Sequence, residues 1–297
     1  MYILLGMNGG KIVQRMNVNI NYIGTVLNKN IYSKSGFLIF PESTQLSREH
    51  LHKLTKHMIN LSADDVETME VRMNKLVDQS IVEIRRIFHL TSANNHFPMQ
   101  EFKKNIIPVI NEAAERFNLF NLFTYILHSL DDYTYRHNIA VGIIATMIGK
   151  WLGLDEKRLL ELSVSATLHD IGKIMVPLRI LNKPGRLTKI EFHLMKQHTI
   201  FGYELIKGTA ESLEIHALVA LQHHEREDGS GYPYGLKGSE IDYLSKIVAV
   251  ADVFHAMASE RVYRKALPLY LIVKQMQENT FGTFDPSIMT LFIEKLL

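Results

Sequence analysis

The sequence predicts a mainly α-helical protein: a helical bundle preceded by a small β-containing N-terminal module and linker helices. Three observations predict it. From Leu119 to the end, apolar residues recur near helical spacing. Nowhere do strands alternate with helices in the way that builds a Rossmann-like sheet. The first 62 residues instead carry short β-branched or aromatic runs, Ile12-Val13, Val18-Asn-Ile-Asn-Tyr-Ile23 and Gly36-Phe-Leu-Ile-Phe40, separated by Gly, Asn and Ser.

The elements follow in order. Residues 1–62 form the β-rich module, in which Ser47-Arg-Glu-His-Leu-His-Lys-Leu54 reads as a capped short helix. Residues 63–118 form a helical linker. A helix is expected from Ala63 to about Phe88, because Val66, Met69, Met73, Leu76, Val77, Ile81, Ile84 and Ile87 recur at helical spacing; this stripe suits a core or a dimer seam. A second helix is expected from Met99 past Pro108, with a kink at the proline. Residues 119–297 form the main domain, with helices near 119–129, 132–151, 155–168, 188–207, 211–224, 240–258, 267–278 and 286–296. The Gly- and Pro-containing stretches 171–187 and 225–239 are read as irregular.

Composition excludes several function classes. The 297 residues are 46% hydrophobic and 22% charged, as in a globular protein rather than a disordered one. A net charge of +2 gives no bulk electrostatic case for duplex nucleic acid or an anionic membrane surface, but a small phosphorylated ligand needs only local charge. There is no cysteine, so disulfides, thiolate metal sites and thiol nucleophiles are excluded. Neither a signal peptide nor a run of transmembrane length is read, and the expected setting is cytoplasmic.

The fourteen histidines carry the chemistry. In Thr167-Leu-His-Asp-Ile-Gly-Lys173, His169 and Asp170 stand together at an expected helix end. Neighbours on a regular helix diverge by about 100°, so both can serve one centre only if the helix stops there. Gly172 would let the backbone turn away and bring Lys173 back toward the site. Alone, the pair is weak evidence. Gln222-His-His-Glu225 adds two histidines at the end of an apolar helix, followed by the tight loop Arg226-Glu-Asp-Gly-Ser-Gly-Tyr-Pro233. His137 and His198 lie within expected helices. Asp252 is the most informative residue: its helix, Ile247-Val-Ala-Val-Ala-Asp-Val-Phe254, is so apolar that a carboxylate there must be paired or coordinated. The set His137, His169, Asp170, His198, His223, His224 and Asp252 exceeds what one four-coordinate ion needs. Two divalent ions sharing Asp170 is the economical reading. Imidazole and carboxylate without thiolate suit iron or manganese first, with zinc, nickel or magnesium as alternatives.

These residues resemble the HD-GYP family, a branch of the HD-domain metal phosphohydrolases, over about Leu119–Leu297. His169-Asp170-Ile-Gly-Lys173 is similar to its HD motif, and His223-His-Glu-Arg-Glu-Asp-Gly-Ser-Gly-Tyr-Pro-Tyr-Gly-Leu236 to its GYP motif; Asp252-Val-Phe-His-Ala-Met257 and Arg261-Val-Tyr-Arg264 resemble the next two blocks. The resemblance implies an HD-type helical bundle and hydrolysis of the bacterial second messenger cyclic di-GMP to pGpG and, in some members, GMP, by attack of metal-bound hydroxide at a binuclear site. It implies one metal held by His137, His169, Asp170 and Asp252, and another by Asp170, His198, His223 and His224. His169 and Asp170 are thereby catalytic as well. Lys173 would contact the scissile phosphate, Arg261 and Arg264 other phosphate oxygens, and Gly231, Tyr232 and Pro233 would shape the loop near the substrate.

Two departures stand out. Tyr133 occupies the position, four residues before His137, where some members place a glutamate that binds a third metal, although Asp131 and Asp132 stand nearby; two metals and mainly pGpG are therefore expected. In Ser245-Lys246-Ile247, lysine replaces the family's common arginine, which puts a ligand-orienting role there in doubt. The competing readings are a non-catalytic cyclic di-GMP receptor and a hydrolase of a related cyclic dinucleotide. Further expected partners are a second copy of the chain, docked through the N-terminal helices, and a signalling protein.

Overall fold

The computed structural model describes residues 20–94, 96–116, 133–210, 213–259, 266–279 and 282–296. The expected strand at Ile12-Val13, the helix at 119–129, Asp131, Asp132, Arg261 and Arg264 lie outside the described residues. Within them the protein is mainly helical. Contacts divide it into two units, Met1–Leu76 and Val77–Leu297.

In the first unit, β1 (Val26–Leu27) pairs antiparallel with β4 (Val66–Glu67), and β2 (Ile31–Tyr32) with β3 (Leu38–Phe40). Helix α1 (Arg48–Lys56) starts where the sequence predicts. Ser47 Oγ accepts from the His50 N–H, and His50 Nδ1 accepts from the Ser47 N–H, which satisfies two otherwise orphaned donors. Leu27, Ile31, Phe40, Leu46, Leu51 and Leu54 form the unit's core. Two expectations change. Residues Ile20–Tyr22 make a 3-10 turn rather than the end of a strand. The helix expected from Ala63 begins only at Met69 (α2, Met69–Asn94), because Val66 and Glu67 are taken up in pairing with β1. The division between the units falls inside α2.

The second unit holds α3 (Met99–Asn105) and α4 (Ile107–Arg116). The sequence predicts one kinked helix here. The break falls at Ile106, which leaves Pro108 in the first turn of α4, where a missing N–H costs no hydrogen bond. Next come α5 (Tyr133–Trp151), α6 (Glu156–Leu168), a 3-10 turn (Ile171–Met175) and α7 (Leu178–Leu181). They are followed by α8 (Lys189–Lys196), α9 (His198–Lys207), α10 (Glu214–Gln222), α11 (Tyr243–Ala258), α12 (Leu269–Gln277) and α13 (Pro286–Leu296). Helix α5 packs on α6 and α11, and α9 packs on α10 and the 3-10 turn. The helix expected over 188–207 is interrupted at Gln197, whose N–H bonds to the carbonyl of Leu194 in a tightened turn. Among the described residues no helix is long and apolar enough to cross a membrane.

One buried histidine of this unit makes stability depend on pH. His216 is 1% exposed, and its Nδ1 accepts the Leu213 N–H at 3.2 Å, which only the neutral ring can do. Burial, then the nearby Lys103, pushes its pKa down to about 4 from 6.5. Between those values the unfolded chain binds a proton that the folded chain refuses, so stability is full above pH 6.5 and falls as pH drops toward 4. Denaturant melts of wild type and His216→Gln at pH 7 and pH 5 check this. The wild type is expected to lose about 2 kcal/mol more than the variant between the two pH values.

Candidate metal centre

Five helix ends or faces converge on one buried cluster. Helix α6 stops at Leu168, so His169 is its C-cap and Asp170 opens the following turn. That stop lets two adjacent residues face one centre. His223 likewise caps α10, His198 begins α9, and His137 and Asp252 project from the interiors of α5 and α11. Gly172 has a different task from the one the sequence predicts. A Cβ there would overlap the carbonyl oxygen of His198 and the amide nitrogen of Gly202, so glycine is what lets the turn lie directly on the backbone of α9. This contact brings Asp170 to His198.

The seven sequence-predicted ligands come together in two groups, His137, His169 and Asp252, and Asp170, His198, His223 and His224. Within each group the candidate ligand atoms lie within 4.8 Å of one another. Asp170 reaches both. Its Oδ1 is 3.2 Å from His198 Nε2 and 3.7 Å from His223 Nε2; its Oδ2 is 3.5 Å from His137 Nε2 and 3.4 Å from His169 Nε2. Asp252 Oδ1 is 3.1 Å from His137 Nε2, and its Oδ2 is 3.8 Å from His224 Nδ1. Lys173 pairs with Asp170 Oδ2.

The outer nitrogens fix the tautomers. His169 Nδ1 lies 2.8 Å from the Ala166 carbonyl, His198 Nδ1 2.7 Å from that of Met195, and His223 Nδ1 2.9 Å from that of Ala220. A carbonyl only accepts, so each Nδ1 carries the proton and donates. In the neutral ring each Nε2 lone pair then faces the centre, as in metal-binding histidines. Two of the inward atoms, His169 Nε2 and Asp170 Oδ1, are buried without a hydrogen-bond partner. Buried polar atoms in that condition call for an occupant. The donor set of imidazole nitrogens and carboxylate oxygens fits a divalent cation of the first transition row.

Electrostatics favour ionised Asp170 and Asp252 and neutral His137, His223 and His224, the forms in which these groups bind a metal. Burial pushes the Asp170 carboxyl up, but Lys173 and His169 outweigh it and hold Asp170 well below the usual carboxylate range. Burial likewise opposes ionisation of Asp252, which the His137 hydrogen bond overcomes. Burial drives His223 and His224 well below the ordinary imidazole value, with neighbouring histidines adding to the effect, and it lowers His137 too. His169 moves the other way: burial lowers it, but Asp170 outweighs burial.

The loop after His224 is rigidly anchored. The buried Glu225 carboxylate accepts the N–H groups of Tyr234 at 2.8 Å and Leu236 at 3.0 Å. A Cβ on Gly231 would stand 2.5 Å from both Glu225 Cα and the His224 carbonyl oxygen, so the loop closes this tightly only with glycine. The Tyr232–Pro233 peptide is cis, and the Tyr232 ring stacks on His224 at 4.6 Å. Lys246 pairs with Glu227 at 2.8 Å and Asp285 at 3.6 Å and ties the loop to the start of α13.

Sequence reasoning missed two residues here. One is Glu225, beside the histidine pair. The other is His255, whose Nδ1 lies 2.8 Å from His137 Nδ1. When His137 Nε2 serves as a metal ligand, its Nδ1 carries the proton and donates to His255 Nδ1. The available signal was spacing, because His255 follows Asp252 by three residues on one helix and so shares its face. His255→Leu is expected to weaken metal binding about 10- to 100-fold, as loss of such a supporting partner does. His255→Asn, which still accepts a hydrogen bond, should recover part of it. Competition with a chelator measures both; equal affinity in wild type and His255→Leu would remove the supporting role.

Comparisons with known proteins give the same direction. A family model described as "HD domain" matches residues 121–288, more than half of the chain. The chain belongs to the HD-domain family, in its HD-GYP branch. This HD-domain chain is 36% identical over 252 residues to a "Cyclic di-GMP phosphodiesterase" of Thermotoga maritima, covering 82% of this chain and 68% of that protein. It is 43% identical over 144 residues to the "Cyclic di-GMP phosphodiesterase response regulator RpfG" of Xanthomonas campestris, covering 48% of this chain and 38% of that one. It is 30% identical over 202 residues to "3'3'-cGAMP-specific phosphodiesterase 3" of Vibrio cholerae, covering 68% and 41%. The HD-domain chain thus spans two thirds of the first relative and less than half of the other two. Among solved structures, the HDG"Y"P protein Bd1817 of Bdellovibrio bacteriovorus superposes with a TM-score of 0.63 at 15% identity, over 93% of this chain and 97% of that one, a likeness of fold.

Proposed function

We propose that the chain is a binuclear metal-dependent phosphodiesterase that hydrolyses cyclic di-GMP, with residues 119–297 as its catalytic domain. The observation that carries the proposal is the position of Asp170, whose two oxygens face different histidine groups. His137, His169, Asp170 and Asp252 would hold one metal, and Asp170, His198, His223 and His224 the other. Iron or manganese suits this donor set best. When bound, two such cations supply Lewis acidity toward a phosphoryl oxygen and acidify water near neutral pH.

The chain's own groups do the rest. His169 and Asp170 hold the centre together. Lys173, held against Asp170, offers a partly buried ammonium to the scissile phosphate. Gly231 and Pro233 keep the loop backbone close to His224, and Tyr232 roofs that histidine with an apolar ring. By the family resemblance, Arg261 and Arg264 take other phosphate oxygens, a task suited to the guanidinium fork. Presence of all seven candidate ligands in one cluster favours catalysis over a non-catalytic receptor.

Tyr133 bears on the product. Its ring stacks on His137, with centroids 5.7 Å apart and planes 16° from parallel, where some relatives would place a third-metal carboxylate. Two metals and pGpG as the main product follow. Anaerobic purification, elemental analysis and a cyclic di-GMP assay with product identification test the whole reading. Two metals per chain and accumulation of pGpG are expected. Absence of turnover by the metal-loaded protein refutes the activity, and a time course with GMP as sole product refutes the product. The proposal also includes a cytoplasmic setting, a signalling partner protein and a homodimer through the N-terminal helices. Light scattering of the purified chain checks the dimer.

A further inference from the structure

The rim of the centre carries three side chains that metal binding does not use. Phe192 and Lys196 lie one turn apart at the end of α8, and Tyr232 faces them from the glycine-rich loop. The two rings are nearly perpendicular, at 76°, with centroids 6.3 Å apart. Lys196 Nζ sits 4.9 Å from the Phe192 centroid and 5.0 Å from that of Tyr232. Lys196 makes no ion pair among the described residues, although carboxylates pair with many other lysines of the chain. Phe192 is 46% exposed, so much of its ring is open to solvent. Tyr232 links this group to the centre, since its ring also meets those of His224 at 4.6 Å and His198 at 6.5 Å.

We propose that Phe192, Tyr232 and Lys196 form a base-reading station beside the metal centre, in which Lys196 selects guanine over adenine. This rests on the phosphodiesterase reading above and names what sets its base specificity. The chemistry follows from the groups. An aromatic ring open to solvent beside a phosphoryl-binding centre suits a nucleobase, whose flat face stacks on it regardless of identity. Discrimination needs a polar group at the base edge. Guanine offers two adjacent acceptors there, O6 and N7, to which a lysine ammonium can donate; adenine replaces O6 with an amino donor, which faces the ammonium with like polarity. The two rings hold the ammonium by cation–π attraction without satisfying its donors, so it stays available to the base. Phe192 supplies stacking and Lys196 supplies selection.

The test uses the full metal-loaded chain as wild type, Lys196→Met and Phe192→Ala. Kinetics are measured on cyclic di-GMP and on cyclic di-AMP, the latter scored as substrate or as competitive inhibitor, with metal content determined for each protein. Lys196→Met is expected to reduce the preference for the guanine dinucleotide about tenfold, by raising KM for cyclic di-GMP with kcat and metal content held. Phe192→Ala is expected to weaken both dinucleotides by about tenfold and to leave the preference in place. An unchanged preference in Lys196→Met overturns the inference; equal losses for both dinucleotides would make Lys196 a phosphate contact instead. Unchanged affinity in Phe192→Ala overturns the stacking role. Wild-type protein that neither binds nor hydrolyses cyclic di-GMP sinks the phosphodiesterase reading and this inference with it. Wild-type turnover combined with an unaltered preference in Lys196→Met sinks the inference alone.

Discussion

Asp170→Asn will yield a folded protein that retains neither metal and hydrolyses cyclic di-GMP at least about a thousandfold more slowly. The carboxamide keeps the shape of the side chain but not its charge, and it cannot face both histidine groups with an acceptor oxygen. Asp170 turns one oxygen toward His137 and His169 and the other toward His198 and His223. Loss of a metal pair removes several kcal/mol of transition-state stabilisation, and each 1.36 kcal/mol is about tenfold in rate. The contrast with His224→Ala sharpens the test, because His224 belongs to one group only and its removal should release a single equivalent. Elemental analysis and a turnover assay on the two variants read this out. Both metals retained in Asp170→Asn, at wild-type turnover, would falsify the shared-carboxylate assignment.

Gly172→Ala will destabilise the protein by about 3 kcal/mol or more, although it adds a single methyl group. The new Cβ meets backbone, the His198 carbonyl and the Gly202 amide, rather than a side chain that could swing aside. Overpacking usually costs about 1–3 kcal/mol when neighbours can yield, and here they are held in α9. For a unit of this size that cost corresponds to a fall in melting temperature of about 10 °C. Metal affinity should fall with it, since the contact sets the distance between Asp170 and His198. Thermal melts with and without added metal check both effects. An unchanged melting temperature together with unchanged metal content would mean that the turn does not depend on this contact.

Much of the site was legible in the sequence because its chemistry is carried by residue type. A carboxylate in the apolar run Ile247–Phe254 had to be compensated, and histidines closing apolar helices supplied the compensation. Helix periodicity located α5, α6, α11 and α13 to within a few residues. The misplacements have physical causes. Strand pairing of Val66 with Leu27 overrode the helical stripe that begins there, Pro108 moved a break to Ile106, and a tightened turn at Gln197 divided an otherwise continuous helix. His255 and Glu225 were not legible as site residues, because each acts through a partner distant in sequence or in a loop whose path no periodicity encodes.

By itself, then, the sequence determined the helical class, the absence of thiol chemistry and the identity of seven candidate ligands, since these depend on local pattern and on the cost of burying charge. Only the tertiary structure decided how the seven divide into two groups with Asp170 between them. It also decided that Gly172 serves a backbone contact, that His255 lies against His137, and that Lys196 stands between two rings at the rim. Those relations join residues from different helices, and the packing of helix on helix, rather than the preferences of any one segment, sets the distances between them.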